Sequence, residues 1–200
     1  SLPAAASTDR VKLVSRAPCI VTVGDSGRLK NVASSIKAFQ KIQRAVPDAE
    51  LHLFGPGLDE TYASPRHGIF LHGVVDHATL MQFYTEHTTL VIHPSLEESF
   101  GVSLIEAMVR GIPCIGGTNS GGVPFVIGQD LGELLVDVRD PDSIANLAIE
   151  ILGDEERFER LSRESEMRAR SHFSQQAMSG KYQELYWEIL GTPDCASVTA

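Results

Sequence analysis

Residues 89–107, TLVIHPSLEESFGVSLIEA, contain the pattern that decides how this chain folds. The apolar run from Thr89 to His93 predicts a buried strand, which Pro94 closes. Helical spacing then begins near Gly101 and is expected to end at Arg110, because Gly111 and a proline follow it. A strand, a loop and a helix in direct succession form the repeating unit of a parallel sheet.

The same alternation extends over most of the chain. Strands are predicted at residues 19–23, 50–54, 69–72, 89–93, 112–115 and 134–138. Helices are predicted at residues 32–45, 78–85, 101–110, 121–127, 142–152, 155–171 and 175–190. This order predicts an α/β fold, a Rossmann-like parallel sheet in three layers with helices on both faces.

Small residues follow the predicted strands, and they indicate where a ligand would bind. In open parallel sheets, ligands occupy the crevice at the carboxyl ends of the strands. The residues found at those ends are Gly24, Gly55, Gly57, Gly73, Ser95 and Gly116. The pattern therefore predicts a site for a polar ligand, built from these loops.

Composition limits the class of protein. The chain has 200 residues, of which 42% are hydrophobic and 22% charged, as in an ordinary globular domain. We expect the folded domain to span residues 17–190, with a partly flexible lead-in at 1–16 and a flexible tail at 191–200. The chain lacks a starting Met, which suggests a processed chain or a fragment.

Cysteine usage, hydropathy and charge limit the expected cellular location and the expected kinds of partner. Three widely spaced cysteines and no run of 18 apolar residues favour a reduced, cytoplasmic location without a membrane span. The net charge of −9 argues against nucleic-acid binding. Residues 1–47 nevertheless hold eight of the 17 Lys and Arg residues and only two acids, so an anionic ligand would be met near this segment.

The carboxylates of Glu98 and Glu106, separated by seven residues, carry the most specific chemical signal. The helix beginning near Gly101 would present free N–H groups that suit a phosphate. A carboxylate one turn further would repel that phosphate but could accept two hydrogen bonds from a vicinal diol such as a ribose. Together these features fit a nucleotide diphosphate-sugar.

This stretch resembles the E-x7-E signature of retaining glycosyltransferases of family 4, which have the GT-B fold. The resemblance covers roughly residues 17–190 and extends well beyond the two glutamates. Further segments follow in the family's order: 23–24, 30–31, 51–57, 70–75, 91–95, 106–108, 111–113, 121–122, 132–136 and 182–186. The resemblance implies one half of a GT-B fold, the half that binds the donor.

The resemblance also implies a role for each matching residue. Lys30 would hold the donor diphosphate, Glu106 the nucleotide ribose and Glu98 the transferred sugar, and these three are the expected catalytic residues. The wider donor-binding set is Gly24, Arg28, Lys30, Gly55, Gly57, Val74, Ser99, Phe100, Gly101, Val102 and Glu106. Within it, backbone N–H groups of residues 99–102 would meet sugar and phosphate, Val74 would border the base, and Gly55 and Gly57 would leave room for the nucleotide.

The family's reaction implies the substrates. The donor would be a UDP-, GDP- or ADP-sugar, and a hexosyl unit would pass with retention to a glycan, lipid or small-molecule acceptor. An N-terminal domain missing from this chain would bind that acceptor, so the fragment alone should transfer nothing. We expect no metal and no other cofactor. A role in polysaccharide biosynthesis and peripheral membrane association of the full-length protein are compatible with this expectation.

Two positions depart from the family pattern. Asp25 stands where the family usually has Arg, and its carboxylate would repel a diphosphate unless Arg28 takes over. Phe125 stands where the family often has Glu. These departures keep a degenerate, non-catalytic nucleotide-binding or scaffold domain open as an alternative, beside a nucleotide-sugar epimerase or a flavodoxin-like module of similar architecture.

Overall fold

A computed structural model describes residues 17–190, which form a six-stranded, all-parallel sheet flanked by helices. The strand order is β3-β2-β1-β4-β5-β6. The strands are β1 (Cys19–Val23), β2 (Glu50–Phe54), β3 (Ile69–Gly73), β4 (Leu90–His93), β5 (Cys114–Gly117) and β6 (Leu135–Val136). The predicted Rossmann-like α/β fold is confirmed.

Seven α-helices lie in the described part of the chain. They are α1 (Val32–Ala45), α2 (His77–Glu86), α3 (Val102–Met108), α4 (Val123–Ile127), α5 (Pro141–Gly153), α6 (Glu155–Phe173) and α7 (Gln175–Leu190). Helix α1 packs against α5, while α3 and α4 pack against α6. Short 3₁₀ helices lie at Glu60–Tyr62, Pro65–His67 and Gln129–Leu134.

The core follows from the apolar runs of the central strands. All four residues of β4 are buried, as are the first four of β1, because helices cover both faces of these strands. Phe39 of α1 and Phe158 of α6 are also buried. Because these strands are buried, the positions at which loops leave their carboxyl ends are fixed.

The strand order of the sheet reverses between β1 and β4. Residues Ile20 and Val21 of β1 pair with Leu90 and Val91 of β4, although β2 and β3 lie between them in sequence. The loops after β1 and β4 therefore leave the sheet from adjacent strands. In this type of sheet such a position is where ligands bind.

Several element boundaries differ from prediction by one or two residues. Strand β5 begins at Cys114 rather than Ile112 and includes Gly116 and Gly117, since a side chain on either would meet α4 or the loop before it. Strand β6 is only two residues long, because the 3₁₀ helix before it extends to Leu134. Helix α3 is shorter at both ends, with Gly101 as its N-cap and its last residue at Met108.

No helix within residues 17–190 is long and apolar enough to cross a membrane. The predicted lead-in at 1–16 and tail at 191–200 lie outside the described residues. Two of the three cysteines, Cys19 and Cys114, are buried, at the starts of β1 and β5.

Candidate functional site

Lys30 and Glu98 meet at the point where the loops after β1 and β4 run side by side. The Nζ atom of Lys30 lies 2.7 Å from Oε2 of Glu98, and the two side chains are 33% and 15% exposed. They are 68 positions apart in sequence. The sheet order therefore brings together two of the three predicted catalytic residues.

The loop that carries Lys30 is fixed at both ends. At its start, Gly24 and Gly55 touch so closely that a Cβ on Gly55 would lie 1.9 Å from the carbonyl oxygen of Gly24. At its end, Asn31 has a left-handed backbone with φ 51°, and its Nδ2 donates to the carbonyls of Pro94 and Val138. Asparagine tolerates that conformation better than most residues. Lys30 thus projects from a loop that is bonded to the ends of other strands.

The loop that carries Glu98 is held by the turn after β5. The backbone N–H of Gly122 donates to the carbonyl of Glu98 at 2.7 Å, and the hydroxyl of Ser120 donates to the carbonyl of Ser95 at 2.6 Å. Gly121 has φ 58°, and a Cβ there would lie 2.4 Å from the carbonyl oxygen of Glu98. Only glycine permits this approach without a shift of the backbone.

Electrostatics around Glu98 fix two protonation states. Burial would raise the pKa of Glu98, but the hydrogen bond and charge of Lys30 outweigh it, so the net pKa lies below the usual value. Burial lowers the pKa of His93, only 3% exposed, to about 4 despite the opposing effect of Glu98. At neutral pH Glu98 is therefore ionised and His93 neutral. His93 Nε2 lies 3.5 Å from Glu98 Oε2, too far for an ordinary hydrogen bond, and has no other partner within residues 17–190.

Glu106 lies on α3 and is bonded to a different element. Its Oε1 lies 2.7 Å from Nε2 of His77, the first residue of α2. The side chain of Glu106 is 25% exposed and that of His77 71% exposed. The carboxylate of Glu106 is therefore partly accessible to a ligand, and more so than that of Glu98.

A cleft of about 660 Å³ opens at the carboxyl ends of β2 and β3. Its lining includes Gly55, Gly57, His72, Gly73 and Val74. Val74 is 74% exposed, and His72 stacks on Phe54 at 4.3 Å between ring centroids. Val74, predicted to border the base, thus lines the same open cleft as Gly55 and Gly57, which were predicted to leave room for the nucleotide.

The remaining predicted residues lie around the Lys30–Glu98 pair. Arg28 is exposed, and Asp25 Oδ1 accepts a hydrogen bond from the N–H of Gly27 at 2.7 Å. Ser99, Phe100 and Val102 are exposed beside buried Gly101 at the start of α3. Asp25 is thus engaged in its own turn, and Arg28 is the neighbouring basic side chain that is open to solvent.

Phe125, the second departure from the family pattern, lies on the surface of α4. It is 62% exposed and its ring packs edge-on against Phe173 at 5.9 Å. Phe100 contacts the same ring at 5.8 Å. An aromatic surface therefore occupies the place where the pattern often has a carboxylate.

The expectation of no metal took the sequence to have no Asp-x-Asp motif, which is wrong, because the chain contains one such triplet, Asp140-Pro141-Asp142. The structure places it at the start of α5, where Asp140 caps the helix by accepting from the N–H of Asp142 and the hydroxyl of Ser143. Capping accounts for the triplet. Within residues 17–190, no group of three or more His, Cys, Asp or Glu residues is arranged to hold a metal ion.

Sequence reasoning missed three residues that shape this site: Asn31, His77 and Ser120. Each acts through one hydrogen bond or two to a residue distant in the chain. Only Asn31 left a signal, since an asparagine directly before a helix is common where the backbone is left-handed or capping. His77 looked like any solvated residue at a helix start.

The chain is similar in sequence to known glycosyltransferases. It is 30% identical over 179 residues to N-acetyl-alpha-D-glucosaminyl L-malate synthase of Bacillus anthracis, covering 86% of this chain and 45% of that protein. It is 33% identical over 114 residues to 2-deoxystreptamine N-acetyl-D-glucosaminyltransferase of Niallia circulans, covering 57% and 29%. The chain therefore spans less than half the length of these curated relatives.

Solved structures agree on the fold. TarM of S. aureus, in a complex that includes UDP, superposes with a TM-score of 0.76 at 16% identity, covering 93% of this chain and 38% of that one. The pneumococcal O-GlcNAc transferase GtfA, in complex with UDP and GlcNAc, gives 0.70 at 22% identity, covering 88% and 37%. These neighbours are GT-B glycosyltransferases, so the predicted half of a GT-B fold is confirmed.

The family model described as glycosyl transferases group 1 matches residues 6–168, which include both loops of the site and helix α3. The relatives, the structural neighbours and this match agree with each other. The chain belongs to the glycosyl transferases group 1 family.

Proposed function

We propose that this chain binds the nucleoside diphosphate-sugar donor of a retaining hexosyltransferase whose acceptor is bound by a further domain. The observation that carries the proposal is the Lys30–Glu98 contact of 2.7 Å at the strand-order reversal, with Glu106 on the next helix. Two adjacent segments therefore supply Lys30 as a cation for the diphosphate, and Glu98 and Glu106 as carboxylates for hydroxyl groups.

The donor would lie along the carboxyl edge of the sheet. Its base would occupy the cleft at β2 and β3, its ribose would meet Glu106, and its diphosphate would meet Lys30 and Arg28. The sugar would lie near Glu98 and the backbone N–H groups of residues 99–102. Two relatives whose names contain an N-acetylglucosaminyl group, and neighbours that hold UDP, make UDP-N-acetylglucosamine the first donor to test.

This domain would contribute to sugar transfer mainly by electrostatic stabilisation. Departure of the diphosphate leaves positive charge on the sugar and new negative charge on the leaving oxygen. Lys30 would stabilise that negative charge, and ionised Glu98 would both orient Lys30 and contact the sugar. The acceptor, be it a glycan, a lipid or a small molecule, would come from the other domain, so this chain alone is expected to bind the donor without transferring sugar.

Calorimetry with UDP, GDP, ADP and their sugars tests the proposal, with Glu106→Ala as the variant. We expect one nucleotide to bind the chain and Glu106→Ala to weaken it by about tenfold to a hundredfold, the range for a hydrogen-bonded charged group. Exposed Glu97, in the neighbouring loop, provides the control Glu97→Ala, which should bind like the wild type.

Two results would contradict the proposal. Failure of the folded wild-type chain to bind any of these nucleotides or sugars would remove the donor-binding role. Unchanged nucleotide affinity in a folded Glu106→Ala variant would remove the ribose assignment.

A further inference from the structure

The contact between His77 and Glu106 links the start of α2 to the middle of α3. Asp76 caps α2 by accepting from the N–H and the hydroxyl of Thr79, at 2.8 and 2.9 Å. This cap fixes the backbone on which His77 stands. From there its Nε2 reaches Glu106 Oε1 at 2.7 Å.

A second contact fixes the spacing of the two helices. Arg110 donates from Nη1 to the backbone carbonyl of Glu106 at 2.6 Å and from Nε to the hydroxyl of Thr85 at 3.1 Å. Since Thr85 lies near the end of α2, this helix is bonded to the α3 region near both of its ends. The distance from His77 to Glu106 is therefore set by the scaffold rather than by two free side chains.

The carboxylate of Glu106 lies within reach of the charge of Arg110, but His77 is its one hydrogen-bond partner in the described part of the chain. A partly exposed glutamate without this bond would sample several rotamers, and ordering it on a ligand costs up to about 2 kcal/mol of side-chain entropy. One N–H donor uses only one of roughly four acceptor positions on a carboxylate, so a diol could still bind to the rest.

We infer that His77 is a positioning residue, which holds Glu106 in the orientation that receives the ribose hydroxyls of the donor. The inference rests on the proposed function and adds a residue to it. His77 acts through Glu106 and needs no contact with the nucleotide. Its contribution is pre-organisation, which raises affinity because the ordering cost is met before the ligand arrives.

The experiment compares His77→Ala with His77→Gln, by calorimetry with the nucleoside diphosphate that binds the wild-type chain, tried in the order UDP, GDP, ADP. His77→Ala removes the N–H that bonds to Glu106 and should weaken nucleotide binding by about threefold to tenfold, the usual value of one hydrogen bond. The glutamine N–H can reach the same carboxylate, so His77→Gln should recover most of the affinity. His87→Ala, at the exposed far end of the same helix, is the matched control.

Two further measurements separate positioning from a general loss of structure. In a Glu106→Ala background, His77→Ala should cause no additional loss, because the residue acts only through that carboxylate. The loss caused by His77→Ala should also be smaller for the 2′-deoxy nucleotide, which offers Glu106 one hydroxyl fewer.

The outcomes distinguish the inference from the function beneath it. Unchanged or tighter binding by His77→Ala, or the same loss with and without Glu106, overturns the inference while leaving the donor site in place, provided that Glu106→Ala still weakens binding. If Glu106→Ala has no effect or the wild-type chain binds none of the nucleotides, the proposed function fails and this inference fails with it.

Discussion

The two glutamates of the E-x7-E stretch stand in contrasting surroundings. Glu98 is 15% exposed, paired with Lys30, and carried by a loop that bonds to the turn after β5. Glu106 is 25% exposed on a helix surface and bonded to a histidine that is itself 71% exposed. The contrast teaches that Glu98 is built into the scaffold through its loop and its ion pair, while Glu106 lies on a helix surface beside an exposed partner. Substitutions at Glu98 and at Glu106 should therefore change different properties of the protein.

The largest expected effect is on sugar transfer by a protein that joins this chain to the proposed acceptor-binding domain. Glu98→Gln should lower turnover by about a hundredfold to a thousandfold, since it removes a preorganised charge beside the reacting centre. Affinity for the nucleotide without its sugar should change little, in contrast to Glu106→Ala. Steady-state kinetics and calorimetry measure the two quantities, and Glu97→Gln is the control. Equal loss of nucleotide affinity in both glutamate variants would erase the distinction.

The next effect concerns the scaffold around Glu98. Gly121→Ala should destabilise the fold by about 3 kcal/mol, because the new methyl group meets a backbone oxygen and the backbone is left-handed. Gly73 has a similar φ of 64° but no atom within 4 Å of a built Cβ. Gly73→Ala should therefore cost only about 1 kcal/mol. Urea denaturation compares the variants, and equal costs would show that the loop of Glu98 is not tightly packed.

The smallest effect is the contribution of His93 to the pH dependence of stability. Its pKa is about 4 in the fold against about 6.5 unfolded, so the unfolded chain binds more protons between these values. The free energy of unfolding therefore falls on acidification, and this site accounts for about 2 kcal/mol of that fall between pH 7.5 and pH 5.

Urea denaturation at the two pH values tests this contribution. His93→Asn should flatten the pH dependence by that amount, whereas the control His172→Asn, on an exposed side chain, should not. The lowered pKa values of His52 and His72 have the same sign and should persist in every variant as a common background. Identical pH dependence in His93→Asn and the wild type would contradict the assignment.

Periodic patterns predicted the scaffold well because burial determines it. Strand β2 and helix α7 have the predicted bounds, and the order of strands and helices holds throughout residues 17–190. Strand β5 was misplaced by two residues because Ile112 looks like strand while Gly116 and Gly117 look like a loop. Their lack of side chains is instead what lets the neighbouring segments pack against the sheet.

Residues of the site could be predicted from the sequence only where they belong to a recognisable motif. Glu98 and Glu106 are neighbours in sequence, so their pattern was visible, and the resemblance to a family supplied Lys30. The contacts of Asn31 with Val138 and of His77 with Glu106 span 107 and 29 positions. Such pairings depend on how loops meet above the sheet, which no local pattern records.

The pairing of β1 with β4 has a consequence for the order of folding. Lys30 and Glu98 close a long stretch of chain, and contacts between such distant positions carry a high entropic cost that delays their formation. The loops cannot meet until β1 and β4 have paired, and β2 and β3 lie between these two strands in the chain. Acquisition of nucleotide affinity during refolding would then be a late event, and a half-formed domain would offer the donor no cation held in place.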